Sequence, residues 1–143
     1  VDQKDFNRLS KKMPVGVEKH ARHIVEEIAR TEKARKFLDL GDVKSFGALM
    51  NDCHRSLRDL FEVSSFELDT MAEIAQSLPG CYGSRLTGAG FGGCTVSLVE
   101  RAAAASFCKE LEEAYYLKTT IRPEIYQTNA SAGASIEKLS HKD

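Results

Sequence analysis

The chain has no tryptophan, only three prolines and only three methionines among its 143 residues. With so few prolines, little forces the backbone to break, and long helices are open to it. No apolar run approaches the roughly 20 residues that a membrane helix needs, which excludes a helical span. No signal-peptide pattern opens the chain. An excess of one charge is also missing. Lys plus Arg is 20 and Asp plus Glu is 21, for a net charge of −1. That balance argues against a nucleic-acid surface and against an acidic tail. The four cysteines, Cys53, Cys81, Cys94 and Cys108, include no C-x-x-C pair. The reading is free thiols in a reducing cytoplasm, with no zinc site and no disulfide framework. The first residue is Val1 rather than Met, which suggests a fragment or a processed chain.

What is present suits one soluble globular domain: 42% hydrophobic and 29% charged residues. The first 80 residues read as helical. Val17, Ala21, Ile24 and Ile28 recur at helical steps, after Pro14 and Gly16 and before Gly41. Glu26–Arg30 and Glu32–Lys36 are i,i+4 pairs assigned to the wet side. Asp42 is a good N-cap for a second helix, whose stripe runs through Phe46, Leu49, Met50, Cys53, Leu57 and Phe61. A third helix starts at Ser64 or Ser65, with Ser64 and Glu67 at capping-box spacing. Its core face is Phe66, Met71, Ile74, Ala75 and Leu78, and Pro79-Gly80 stops it.

After Gly80 the period changes. Residues 82–87 and 94–99 read as strands, residues 102–118 as a helix, and residues 121–128 and 135–139 as two closing strands. Helices followed by β-β-α-β-β make an α+β fold: an antiparallel sheet with a crossing helix.

The segment RLTGAGFGGCTVSLV, residues 85–99, poses the functional question. Gly88, Gly90 and Gly93 spell G-x-G-x-x-G, with Gly92 between them. A dinucleotide loop needs a helix directly after the glycines, and here a strand follows. A protein-kinase flap is a hairpin, but it needs a lysine strand, an H-R-D and a D-F-G that this chain lacks. Two readings remain open on the residues alone. One is an anion- or phosphate-holding loop of bare backbone N–H groups. The other is a tight turn with no ligand.

The stretch YGSRLTGAGFGGCTV, residues 82–96, closely resembles the third signature motif of the galactokinases, in the GHMP kinase superfamily. The resemblance continues through ARHIVEE at 21–27, Gly41-Asp42 with Phe46-Gly47-x-Leu49-Met50, and SLRD at 56–59 with FEVS at 61–64 and ELD at 67–69. ASAGA at 130–134 stands where the family usually has A-x-D-G-A. Two positions depart: Leu60, often acidic in the family, and Ala132, usually Asp.

The resemblance implies that residues 1–143 are a ferredoxin-like GHMP kinase C-terminal domain. It implies an enzyme that moves the γ-phosphoryl of ATP to the C1 hydroxyl of galactose with magnesium. The sugar motif, the main ATP loop and the catalytic aspartate would lie in an N-terminal domain, for which no P-x-x-x-G-L-G-S-S-like segment stands here. The fragment alone would then be inactive and holds no catalytic residue or metal ligand of its own. Thr87, Gly88, Ala89, Gly90, Phe91, Gly92 and Gly93 would line the active-site cleft, with Arg85 in support. The partners implied are ATP, galactose or a related sugar, and the N-terminal domain, in the cytoplasm. A non-catalytic galactokinase-like sugar sensor, an N-acetylgalactosamine kinase and a free-standing ligand-binding module stay as alternatives.

Other residues invite chemistry and are given blander roles. Arg85 is read as bracing the turn rather than steering phosphate. His20 and His23, at i,i+3, are read as surface and packing rather than a metal pair. Cys94 is read as a buried small residue. Asp59 and Glu62 are read as capping and ion-paired rather than an acid–base pair. His54 and Arg55 are given structural duty.

Overall fold

The computed structural model describes residues 3–136. Helices α1 (Gln3–Leu9), α2 (Val15–Asp39), α3 (Val43–Asp59) and α4 (Phe66–Ser77) come first. Strands β1 (Cys81–Thr87) and β2 (Cys94–Val99) and helix α5 (Ala104–Thr119) follow. Short 3-10 turns stand at Ser10–Lys12 and Arg101–Ala103. The helices-first α+β arrangement therefore holds. β1 and β2 pair antiparallel, from Cys81 opposite Val99 to Thr87 opposite Cys94, with a bulge between Cys81 and Gly83.

Local chemistry sets the boundaries. Asp42 caps α3 by accepting the Ser45 N–H at 3.0 Å. Gly41 takes a left-handed φ of 68° just past α2. α4 is capped by Ser65, which accepts the Leu68 N–H at 3.3 Å. Ser64, the expected box residue, instead donates to Asp69 Oδ1 at 2.5 Å.

The apolar core lies between α4 and α5: Ile74 and Ala75 meet Phe107, Leu111 and Tyr115. α3 lies along the edge of β1 that β2 does not use. The two backbones touch where a Cβ on Gly47 would overlap the Tyr82 carbonyl, and one on Gly83 the Gly47 carbonyl. That contact fixes β1, and with it the loop that β1 feeds.

Four expectations fail here. The Val17–Ile24–Ile28 stripe of α2 faces outward, with those residues about half exposed, while His23 and Val25 point in. α2 meets the core through α3, whose facing side is polar enough to take histidine and charge. Arg30, assigned to the wet side, is mostly covered; it keeps its expected partner Glu26 at 3.9 Å and also pairs with Glu27. Phe66 is exposed, because it opens α4 ahead of the buried turn.

The last failure is the pair of closing strands. Residues 121–136 form no strand, and the remainder of 135–139 lies outside the described residues. Pro123 offers no N–H to a ladder. The segment spends its side chains on α5 instead. Ile125 packs against the α4–α5 core. The Arg122 guanidinium stacks over Tyr116 at 4.6 Å and pairs with Glu112 at 3.1 Å. Gln127 donates to the Ala104 carbonyl at 3.4 Å.

Candidate functional site

Between β1 and β2 the chain turns through six residues, five of them with positive φ. These are Gly88 at 85°, Gly90 at 82°, Phe91 at 58°, Gly92 at 131° and Gly93 at 97°. Side chains are costly in that region, and four glycines remove most of the cost. No heavy atom lies within 4 Å of where a Cβ on Gly88, Gly92 or Gly93 would sit. One side of the loop is thus bare, open backbone. Gly90 differs: a Cβ there would overlap the Val63 carbonyl. Phe91 N–H donates to that same carbonyl at 2.7 Å. The Phe91 ring is 73% exposed, so the tether acts through backbone while the side chain stays outside. Thr87 closes β1 opposite Cys94, and Ala89 is exposed.

The structure brings residues 87–93 together as one loop. Because β2 follows it, no helix N-terminus is available for a pyrophosphate, and the dinucleotide reading falls. The two other readings stay open at this point: a loop of bare backbone N–H groups that suits an anion, and a tight turn with no ligand.

Arg85 is used on the strand. Its guanidinium donates to the Leu86 carbonyl at 3.0 Å. Cys53, beside it, has its thiol pushed up by burial, with the Arg85 charge opposing.

The outer edge of β1 is closed by side chains. Ser84 N–H donates to Asn51 Oδ1 at 2.8 Å and Leu86 N–H to His54 Nδ1 at 3.2 Å. Gln76 Nε2 donates to the Ser84 carbonyl at 2.8 Å. His54 is 1% exposed. As an acceptor at Nδ1 it carries its proton on Nε2, which faces Asp69 Oδ1 at 3.2 Å but off a good hydrogen-bond line. Burial pulls its pKa down; Asp69 opposes this. Sequence reasoning gave His54 structural duty and missed Asn51 and Val63. The signal was there: Asn51 and His54 stand three apart beside buried Met50 and Cys53, so polar groups on that face need partners.

The other tempting residues separate. The His23 ring stacks on Phe61 at 4.6 Å, and its Nδ1 is 2.8 Å from Ser56 Oγ. His20 meets Phe61 edge-on at 5.5 Å. Asp59 pairs with Arg58 at 2.7 Å and Glu62 with Lys19 at 2.8 Å, so they form no shared acid–base site. Those partners hold both carboxyls below their usual range. Cys94 is exposed, not buried, because β2 leaves the open loop there. Among the described residues, no group of three or more His, Cys, Asp or Glu side chains could hold a metal ion. Among them also, no helix is long and apolar enough to cross a membrane.

A family model described as "GHMP kinases C terminal" matches residues 19–117. A protein named galactokinase from Roseiflexus sp. is 49% identical over 121 residues, 85% of this chain and 31% of its own length. The Homo sapiens protein named galactokinase is 48% identical over 118 residues, 82% of this chain and 29% of its own. The solved Lactococcus lactis galactokinase complexed with galactose superposes with a TM-score of 0.79 at 38% identity. That match covers 83% of this chain and 31% of the solved one. The L. major mevalonate kinase in complex with R-mevalonate, at 24% identity and a TM-score of 0.59, shares the fold over 77% of this chain and 32% of its own. The chain spans about a third of the length of the curated relatives it matches.

Proposed function

The chain belongs to the GHMP kinase C-terminal family, and on that footing we propose that it is the C-terminal domain of a galactokinase. The full protein would transfer the γ-phosphoryl of ATP to the C1 hydroxyl of galactose, releasing ADP and galactose 1-phosphate, in the cytoplasm. The observation that carries this reading is the left-handed, open-faced loop at residues 88–93 within a sequence matched to proteins of that name. Phosphoryl transfer is mostly positioning and charge stabilisation. Bare backbone N–H groups can approach a phosphate where side chains could not. In this reading Thr87, Gly88, Ala89, Gly90, Phe91, Gly92 and Gly93 line the cleft, and Arg85 stiffens the strand that enters it.

No proton transfer or nucleophile is assigned to this chain. Magnesium screens the phosphate charge in such a transfer. Its site, the sugar contacts and the remaining ATP contacts belong to the rest of the protein in this proposal.

The test is ATP-dependent phosphorylation of galactose by the full-length gene product, with N-acetylgalactosamine as a second substrate. Galactose 1-phosphate production supports the reading; preference for N-acetylgalactosamine moves the substrate, and no turnover with either sugar overturns it. Gly92→Ala sharpens it. Space is open there but φ is 131°, so the loop reshapes without a clash. We expect kcat to fall by about a hundredfold with the fold retained. Gly90→Val is a poorer probe, because its side chain strikes the Val63 carbonyl.

A further inference from the structure

We infer that the turn between α3 and α4, residues 60–65, is a clamp that sets the shape of the glycine loop, with Glu62 as its positioning residue. This rests on the reading of that loop as the phosphate-facing element. Val63 supplies the grip. Its carbonyl accepts the Phe91 N–H at 2.7 Å. It also fills the space beside Gly90 that a Cβ would need. Both contacts join the loop to a segment more than 25 residues earlier in the chain. A shift of the turn therefore moves the loop.

Glu62 orients that carbonyl. It holds a φ of 61°, which glycine or asparagine adopts more easily. A turn that needed only the backbone shape would be better served by glycine. What the glutamate adds is its carboxylate, which takes Lys19 Nζ at 2.8 Å and lies 3.9 Å from His20 Nε2. Both partners are on α2. Phe61, just before Glu62 in the turn, meets the His20 ring edge-on and stacks on the His23 ring. On the other side, Val63 N–H donates to the Leu57 carbonyl at 3.1 Å, and Ser64 is held by Asp69. The turn is thus gripped by α2, α3 and α4 and passes that geometry to the loop through one carbonyl. Backbone strain accompanied by a specific side-chain tie is the pattern of a functional constraint.

The test uses the full-length protein and three variants: Glu62→Gly, Lys19→Glu, and Lys19→Glu with Glu62→Lys. Glu62→Gly accepts the left-handed backbone but deletes the tie, so the thermal midpoint should hold or rise. Exchange of the Phe91 amide should accelerate about threefold to tenfold. The KM for ATP should rise by about the same factor, with the KM for the sugar unmoved. Lys19→Glu should do likewise, and the swapped pair should return to within about twofold of wild type. A merely structural tie would lower the midpoint without splitting the two KM values. Phe91 exchange unchanged in Glu62→Gly, or a swapped pair no better than its single variants, overturns the clamp. The exchange readout needs no turnover. A full-length protein that phosphorylates no sugar would sink the kinase reading, and Phe91 exchange would still decide the clamp.

Discussion

Helices α2 and α5 meet their neighbours with opposite chemistry. α5 turns Phe107, Leu111 and Tyr115 onto Ile74 and Ala75 of α4, an apolar contact of large side chains. α2 turns His23 and Glu27 toward α3, where Ser56 and Cys53 answer them, and Arg30 pairs with Glu27 on α2 itself. Its Val17, Ile24 and Ile28 point outward. Apolar burial is non-directional and scales with area, whereas a polar contact demands that each partner be placed. α5 supplies bulk stability. α2 supplies geometry, and it is α2 that holds the turn gripping the glycine loop.

The largest effect should follow from cutting the apolar side of that contrast. Phe107 is 4% exposed within the α4–α5 core. Phe107→Ala should cost about 3–5 kcal/mol, as lost transfer energy plus a cavity that helices cannot close. Urea unfolding with an unchanged slope is the measurement. A loss below about 1 kcal/mol would mean that the two helices repack freely, and that the contrast with α2 is overstated.

This contrast also explains what could be read ahead of the structure. Periodicity found every long helix, Asp42 announced its cap, and Gly41 its stop, because these are local effects of 3.6-residue spacing and backbone hydrogen bonding. Periodicity did not say which face of α2 turns inward. That depends on what α3 offers across the gap, and α3 offers Ser56 and Cys53 rather than a greasy groove. Residues 121–128 alternate like a strand, but Pro123 and the pull of Tyr116, Glu112 and Cys108 on α5 lay them along the helix. The glycine loop was legible because glycine is the residue that left-handed backbone demands. The residues that fasten it and the strand before it, Val63 through a carbonyl to the loop and His54 through Nδ1 to β1, act at long range and leave no spacing signature.

The next effect is smaller and tests the polar side. His54 accepts the Leu86 N–H, and His23 is tied to Ser56; burial lowers both pKa values, with the Arg30 charge adding for His23. Glu26 opposes this at His23, and Asp69 and Glu73 oppose it at His54. Unfolded histidine titrates near 6.5, and the folded forms below it. Between the two values the unfolded chain binds protons that the folded chain refuses. Stability is therefore full above about pH 6.5 and falls as the pH drops through that window. His54→Ala should cost about 1–3 kcal/mol at pH 7.5, since Leu86 N–H loses its buried acceptor. It should also flatten part of the acid slope of the melting temperature. An unchanged slope would show that His54 takes up its proton alike in the folded and unfolded chains.

The smallest effect should come from the outward stripe. Ile28 is 55% exposed on α2, and helix propensity hardly separates isoleucine from serine. Ile28→Ser should shift stability by no more than about 0.5 kcal/mol. Were the stripe core, as its spacing alone implies, the loss would approach the 2–5 kcal/mol of a large aliphatic truncation. The same denaturant curve used for Phe107→Ala reads both. Near-coincidence of the Ile28→Ser and wild-type midpoints, beside a wide gap for Phe107→Ala, shows that the outward stripe does not hold α2 and leaves that to its inward face of His23, Val25 and Glu27. Equal losses would reverse that assignment, and with it the argument that α2 serves to place Glu62.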